Sequence, residues 1–100
     1  MNSFENYSQF QKSTQTKEFD IKYMALGLGG EVGELLNEIK KMERDDNNIL
    51  TKDRKQKIIL EIGDILWYLQ GLSSQLNITL DSALQTNIDK LSKRYNSNHS

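Results

Sequence analysis

Apolar residues recur at helical spacing along most of this 100-residue chain, and no proline interrupts them. Because proline breaks the interior of a helix, a chain without it can form long helices. The two clearest apolar stripes contain Ile21, Met24, Ala25, Leu28, Val32, Leu35, Ile39 and Met42, and then Ile58, Ile62, Ile65, Leu69, Leu72 and Leu76. No strand pattern or internal repeat stands out. The sequence therefore predicts an all-α fold that resembles a four-helix bundle.

Each of the four predicted helices begins at a side chain that can cap it. The first covers residues 3 to about 17 with Ser3 as its cap, and the second covers 21 to about 44 with Asp20 as its cap. The third begins at Thr51 or Asp53 and ends at about 76. The fourth covers 80 to about 95 with Thr79 as its cap. Four glycines between 27 and 33 disfavour a helix there, since each lowers the stability of a helix interior by about 1 kcal/mol relative to alanine. The apolar stripe keeps its phase across them, so a continuous or slightly bent helix is predicted.

The composition excludes several classes of protein and site. One domain is predicted over residues 1–100, with residues 96–100 as a disordered tail. A formal net charge of −1 gives no reason to expect a nucleic-acid polymer as partner. There is no cysteine for a disulfide or a thiolate site, and no apolar run approaches the roughly 18 residues of a membrane span. The first residues lack a signal-peptide pattern, so a cytoplasmic protein without a membrane partner is expected.

The second and third helices each carry two carboxylates three residues apart, beside their apolar stripes. These are Glu31 and Glu34 on the second helix, and Glu61 and Asp64 on the third. Positions i and i+3 share a helix face, so two such helices packed together would gather four carboxylates. The four charges would repel one another, and a divalent cation would remove that conflict. With the single histidine, His99, in the tail, an all-oxygen site suits magnesium, manganese or calcium.

Acidic pairs also occur on ordinary solvated helix edges. The alternative hypothesis is therefore a non-catalytic helical module for interaction or oligomerisation, with a solvated acidic edge.

Three segments together resemble the MazG-like nucleotide pyrophosphohydrolases, which are all-α nucleoside triphosphate pyrophosphatases. They are Gly-Leu-Gly-Gly-Glu-Val-Gly-Glu-Leu at 27–35, Glu-Ile-Gly-Asp-Ile-Leu-Trp-Tyr-Leu at 61–69 and Asn-Ile-Asp-Lys-Leu-Ser-Lys-Arg-Tyr at 87–95. The family's Glu-x-x-Glu followed by Glu-x-x-Asp is present in order, and the resemblance covers roughly residues 4 to 95. Phosphoribosyl-ATP pyrophosphohydrolases and dimeric dUTPases share this acidic motif, so the base and sugar of the substrate stay open.

The resemblance implies hydrolysis of a nucleoside triphosphate to the monophosphate and pyrophosphate. It also implies that Glu31, Glu34, Glu61 and Asp64 are the catalytic ligands of Mg²⁺, with Mn²⁺ as a substitute. One of these acids, or a water held at the metal beside it, would activate the attacking water. Which acid acts as the base stays open.

Four further residues are candidates for substrate binding. Trp67 lies off the main stripe and close to Asp64, where it either stacks on a nucleobase or packs against another helix. On the fourth helix, Asn87 falls within the apolar stripe, and Lys90 and Arg94 lie on the same side, where cations can bind a polyphosphate. The resemblance supports this role, because Asn87-x-x-Lys90 matches the family's C-terminal motif. The alternative is that Asn87 bonds to a neighbouring helix while the two cations are solvated.

Two residues border the acids without a firm role. Glu38 is expected to be solvated, with an outer-shell acid as the alternative. Tyr68 lies close to the edge that carries Glu61 and either hydrogen-bonds a carboxylate or packs in the core.

The apolar stripes of the second and third helices are wider than one short chain can cover. We therefore expect a homodimer or homotetramer that completes the bundle, as the family resemblance also suggests.

Overall fold

The computed structural model describes residues 3–99, with side-chain surroundings given for residues 3–96. Four helices and no strand occupy this range: α1 (Phe4–Thr14), α2 (Ile21–Asp45), α3 (Lys52–Gln75) and α4 (Leu80–His99). The all-α prediction is confirmed. The disordered tail predicted at 96–100 is helical through His99, and Ser100 lies outside the described residues.

The side chains predicted to cap the helices form the expected capping hydrogen bonds. Ser3, Asp20 and Thr51 each accept a hydrogen bond from the backbone N–H three residues further on, and Thr79 does the same for Ser82. The third helix therefore begins behind Thr51 and not behind Asp53. The first helix ends three residues earlier than predicted, because Gln15 is already extended and the apolar pattern has stopped.

Helices α2 and α3 form an antiparallel hairpin, the principal packing unit of the chain. All the glycines of α2 have helical φ angles, so the predicted continuous helix is confirmed. The connecting turn contains Asn47 and Asn48 at φ 56° and 57°, in the left-handed region that asparagine tolerates better than most residues.

An ion-pair network fixes the two helices at the turn end of the hairpin. The guanidinium of Arg54 bonds to both carboxylate oxygens of Glu38 at 3.3 and 3.1 Å, and to Asp46 at 2.9 Å. Glu38 and Arg54 are both buried. The expectation that Glu38 is solvated was wrong, because the angle of a residue on its own helix does not reveal a cation on the neighbouring one.

Helix α1 packs across α3 and reaches α2 at Met24. Gln11 of α1 meets Met24 of α2 at Gly71 of α3, where a Cβ on the glycine would overlap both side chains. Met24 is the only large apolar residue that is fully buried among the described residues. The first three helices thus share a small core.

Helix α4 projects away from this three-helix unit. It packs against α3 near its first turn, and every side chain from residue 81 to 96 is exposed. The radius of gyration is 16.7 Å, against about 13 Å for a compact domain of this length. No helix within residues 3–99 has the length and hydropathy that a bilayer crossing needs.

Candidate metal centre

Three of the four predicted acids converge between α2 and α3. Glu31, Glu61 and Asp64 each offer a carboxylate oxygen, and the three oxygens lie within 4.8 Å of one another. Glu31 and Glu61 are half-buried, and Asp64 is exposed. The group therefore opens to solvent on the side of Asp64, where a ligand can enter. We call these three residues the acidic group.

Glu34, the fourth predicted acid, lies about one turn further along α2 and is exposed. It falls outside the acidic group, yet its charge reaches Glu31. It therefore lies at the rim of the site.

The acidic group is electrostatically unbalanced. Burial raises the pKa of the Glu31 carboxyl, and the charges of Asp64, Glu61 and Glu34 raise it further. Oε2 of Glu61 is inaccessible to solvent and accepts no hydrogen bond. Among the described residues, the ion pairs that form involve none of these four acids. Such a set of oxygens suits a divalent cation, which would satisfy the orphaned oxygen and offset the repulsion.

Two tyrosines approach the acidic group from different helices. Tyr68 of α3 lies against Gly27 of α2, which leaves room for its ring. Burial raises the pKa of the Tyr68 phenol, followed by its interaction with Tyr23 and the charges of Glu31 and Asp64. The pKa of Tyr7 is raised by burial and then by Asp64. Sequence reasoning placed Tyr68 near the acids but missed Tyr7, whose place in the apolar pattern of α1 gives no signal of a polar role.

Trp67 connects α3 to α1. Its indole N–H donates to Oγ1 of Thr14 at 2.8 Å, and its ring meets Tyr68 edge-on with the centroids 5.0 Å apart. These contacts match the packing alternative for Trp67, and its stacking on a nucleobase stays a prediction.

An aromatic cleft of about 800 Å³ adjoins the site. Phe4, Tyr7 and Phe10 of α1 line it together with Leu66 of α3, and Asn6 and Asp81 add polar groups. Tyr7 lines this cleft, and the charge of Asp64 raises the pKa of its phenol, so the cleft and the acidic group are neighbours.

The three candidates on α4 are not brought into the acidic group of their own chain. Asn87, Lys90 and Arg94 are all exposed, and none of them is among the groups that shift the pKa of Glu31. Asn87 lies within the apolar stripe of α4, which is exposed in the described chain, and its role in substrate binding stays a prediction.

Comparison with known proteins gives two matches. The family model described as the MazG nucleotide pyrophosphohydrolase domain matches residues 19–99. The Gene 37 protein of Mycobacterium phage L5 is 36% identical over 74 residues, which cover 74% of this chain and 65% of that protein. The chain thus spans a little under two thirds of the length of this relative. No solved structure matches it.

Proposed function

The chain belongs to the MazG nucleotide pyrophosphohydrolase domain family, and on that premise we propose that it hydrolyses nucleoside triphosphates to monophosphates and pyrophosphate. The observation that carries the proposal is the convergence of Glu31, Glu61 and Asp64 around an oxygen of Glu61 that has no donor. Repulsion among these carboxylates gives no advantage to the fold by itself. It becomes useful when a cation and a polyphosphate occupy the site.

The acidic group holds Mg²⁺ in this proposal, with Mn²⁺ as a substitute, and Glu34 assists from the rim. A divalent cation held there would offset the negative charge that develops on the phosphates during hydrolysis. Glu31 and Glu61 are half-buried between two helices, so they would hold the cation against the hairpin. Asp64 and Glu34 are exposed, so they can accept a proton from a water molecule that enters from solvent.

The aromatic cleft receives the nucleoside. Its lining of aromatic and aliphatic side chains suits a base and sugar, and its polar groups can orient them. Tyr7 lines the cleft and its pKa is raised by the charge of Asp64, so a nucleoside in the cleft would lie near the acids. A nucleoside triphosphate substrate also agrees with the cytoplasmic location expected from the sequence.

The protein acts as a homodimer or homotetramer. Leu26 and Leu36 of α2, and Leu60 and Ile62 of α3, are all more than half exposed on the hairpin. Leu60 and Ile62 are two positions apart and lie on different sides of α3, so a second copy packed on either side would cover apolar area that the described chain leaves open.

Pyrophosphate release from a panel of ribo- and deoxyribonucleoside triphosphates, with Mg²⁺ present, tests the proposal. We expect release from at least one nucleotide. Asp64→Asn should reduce it on the order of 10²-fold or more, as when one group that stabilises transition-state charge is removed. Asp53→Asn is the matched control, because Asp53 is an exposed acid at the start of the same helix.

Three outcomes separate the hypotheses. A wild type that is inactive on the whole panel favours the non-catalytic interaction module. Parent activity in Asp64→Asn removes that residue from the site. Equal losses in Asp53→Asn and Asp64→Asn would show a general effect of charge or stability.

A further inference from the structure

The aromatic cleft has two chemically different ends. Tyr7 lines the cleft and lies near Asp64 of the acidic group, whereas Asp81 lines the cleft from the first turn of α4. Asp81 also borders a smaller cavity together with Gln70 of α3. Gln70 follows Asp64 by six residues, which is about 9 Å along the helix. The base and sugar of one nucleotide can span this separation.

The charge of Asp81 sets the direction in which a nucleotide lies in the cleft. Within the described residues its carboxylate forms no ion pair, so a phosphate placed beside it would meet a like charge that no cation offsets. At the other end, a divalent cation at the acidic group would attract the phosphates. The base therefore lies toward Asp81, and the phosphates lie toward the acids.

A carboxylate at the base end of the cleft discriminates between bases. An ionised carboxylate has two acceptor oxygens and no donor, so it pairs best with two adjacent N–H groups. Guanine presents such a pair on one edge, its ring N1–H and its exocyclic amino group. Adenine and cytosine place a ring acceptor beside their amino group, and an acceptor that faces a carboxylate stays unpaired. Uracil and thymine offer a single N–H between two carbonyl oxygens.

The rest of the lining adds affinity without this selectivity. Phe4, Tyr7 and Phe10 offer aromatic rings, and stacking on an aromatic ring tolerates every base. The side-chain amide of Asn6 both donates and accepts hydrogen bonds, so it suits any base edge. Discrimination between bases therefore depends on Asp81.

We propose that the aromatic cleft selects a guanine base, and that Asp81 recognises it by accepting hydrogen bonds from N1–H and the exocyclic amino group. The substrate class is then the guanine nucleoside triphosphates. This inference rests on the proposed function for the hydrolysis of the nucleotide, whereas the selection of the base stands on the cleft and the charge of Asp81.

Inosine triphosphate isolates one of the two contacts, because it differs from GTP only in lacking the exocyclic amino group. With Mg²⁺ present, kcat/KM for pyrophosphate release should be about 10- to 100-fold higher for GTP than for inosine triphosphate, as expected for one hydrogen bond to a charged group. ATP should be a poorer substrate than either, because its ring N1 is an acceptor. Equal kcat/KM for the three nucleotides would overturn the proposal.

Asp81→Asn tests whether this residue makes the selection. An amide both donates and accepts, so it matches the edge of adenine better than that of guanine. The variant should lose most of its preference for GTP and gain activity on ATP relative to GTP. A preference for GTP that survives this substitution would place the selection elsewhere and overturn the proposal.

Asp53→Asn is the matched control for the loss of charge. Asp53 is likewise an exposed acid in the first turn of a helix, and it does not line the cleft. This variant should keep the wild-type order of nucleotides. If it loses the preference for GTP as Asp81→Asn does, the effect is one of general charge, and the proposal is overturned.

Binding of monophosphates supplies a readout that does not depend on hydrolysis. Calorimetry with Mg²⁺ present should show that the wild type binds GMP more tightly than inosine monophosphate, and that Asp81→Asn binds the two alike. Equal wild-type affinities, or no measurable binding of GMP, would overturn the proposal. A wild type that prefers GMP but releases pyrophosphate from no nucleotide counts against the proposed function alone.

Discussion

Replacement of Gly27 by alanine tests whether the close contact between α2 and Tyr68 shapes the site. A Cβ at Gly27 would lie 2.5 Å from Cζ and 2.6 Å from Cδ1 of the Tyr68 ring. Carbon atoms normally meet at about 3.5–4.0 Å, so the ring must move by about 1 Å or more. It cannot do so freely, because the Trp67 ring packs edge-on against it and the centroid of the Tyr23 ring lies 6.5 Å away.

The same substitution at Gly30 provides the matched control. A Cβ at Gly30 meets nothing within 4 Å, and alanine stabilises a helix interior by about 1 kcal/mol relative to glycine. Gly27→Ala has the same intrinsic gain but adds an overlap that typically costs about 1–3 kcal/mol. We therefore expect Gly27→Ala to be less stable than Gly30→Ala by about 1–3 kcal/mol.

Urea unfolding of both variants at one protein concentration measures the difference. Fluorescence of Trp67, the single tryptophan, reports on the neighbourhood of Tyr68 directly. Adding Tyr68→Ala should remove most of the difference, because the overlapping ring is gone. Equal stabilisation by alanine at both glycines would refute the reasoning, since it would mean that the ring does not occupy the space beside Gly27.

Three further predictions concern other side chains. Arg54→Met should lower Tm much more than Lys57→Met. The first change leaves the buried Glu38 without its cation, whereas Lys57 forms only an exposed ion pair with Asp53. Similar losses of Tm in the two variants would contradict this. Gln11→Met should raise the free energy of unfolding by about 1 kcal/mol, because Nε2 of this buried amide has no hydrogen-bond acceptor. If urea unfolding gives the variant a lower free energy of unfolding than the wild type, the amide has a hydrogen-bond partner. The folded state raises the pKa of Glu31, so without metal the free energy of unfolding should fall as pH rises from the ordinary glutamate pKa through the raised one. Glu31→Gln should abolish this fall, and it should also abolish the gain in Tm on adding Mg²⁺. An unchanged gain in Tm would exclude Glu31 as a ligand.

The sequence alone determined the elements of local structure. Capping by Ser3 and Asp20 and the continuity of α2 through its glycines all depend on residues a few positions apart, whereas the sequence left Thr51 and Asp53 open as the start of α3. The acidic motif also predicted a carboxylate face on each of two helices, because residues three positions apart share a helix face whatever the packing. The predicted class of chemistry came from the family resemblance. Caps, turns and helix faces depend on residues close together in the sequence, so they can be predicted from the helical spacing of residues alone.

Only the tertiary structure decided which side chains meet. It grouped Glu31 with Glu61 and Asp64, left Glu34 at the rim and buried Glu38 against Arg54. It also brought Tyr7 of α1 near Asp64 and directed α4 away from the acids of its own chain. The physical reason is that periodicity fixes the angle of a side chain about its own helix axis. The partner it faces depends on how neighbouring helices, or a second chain, pack against that face.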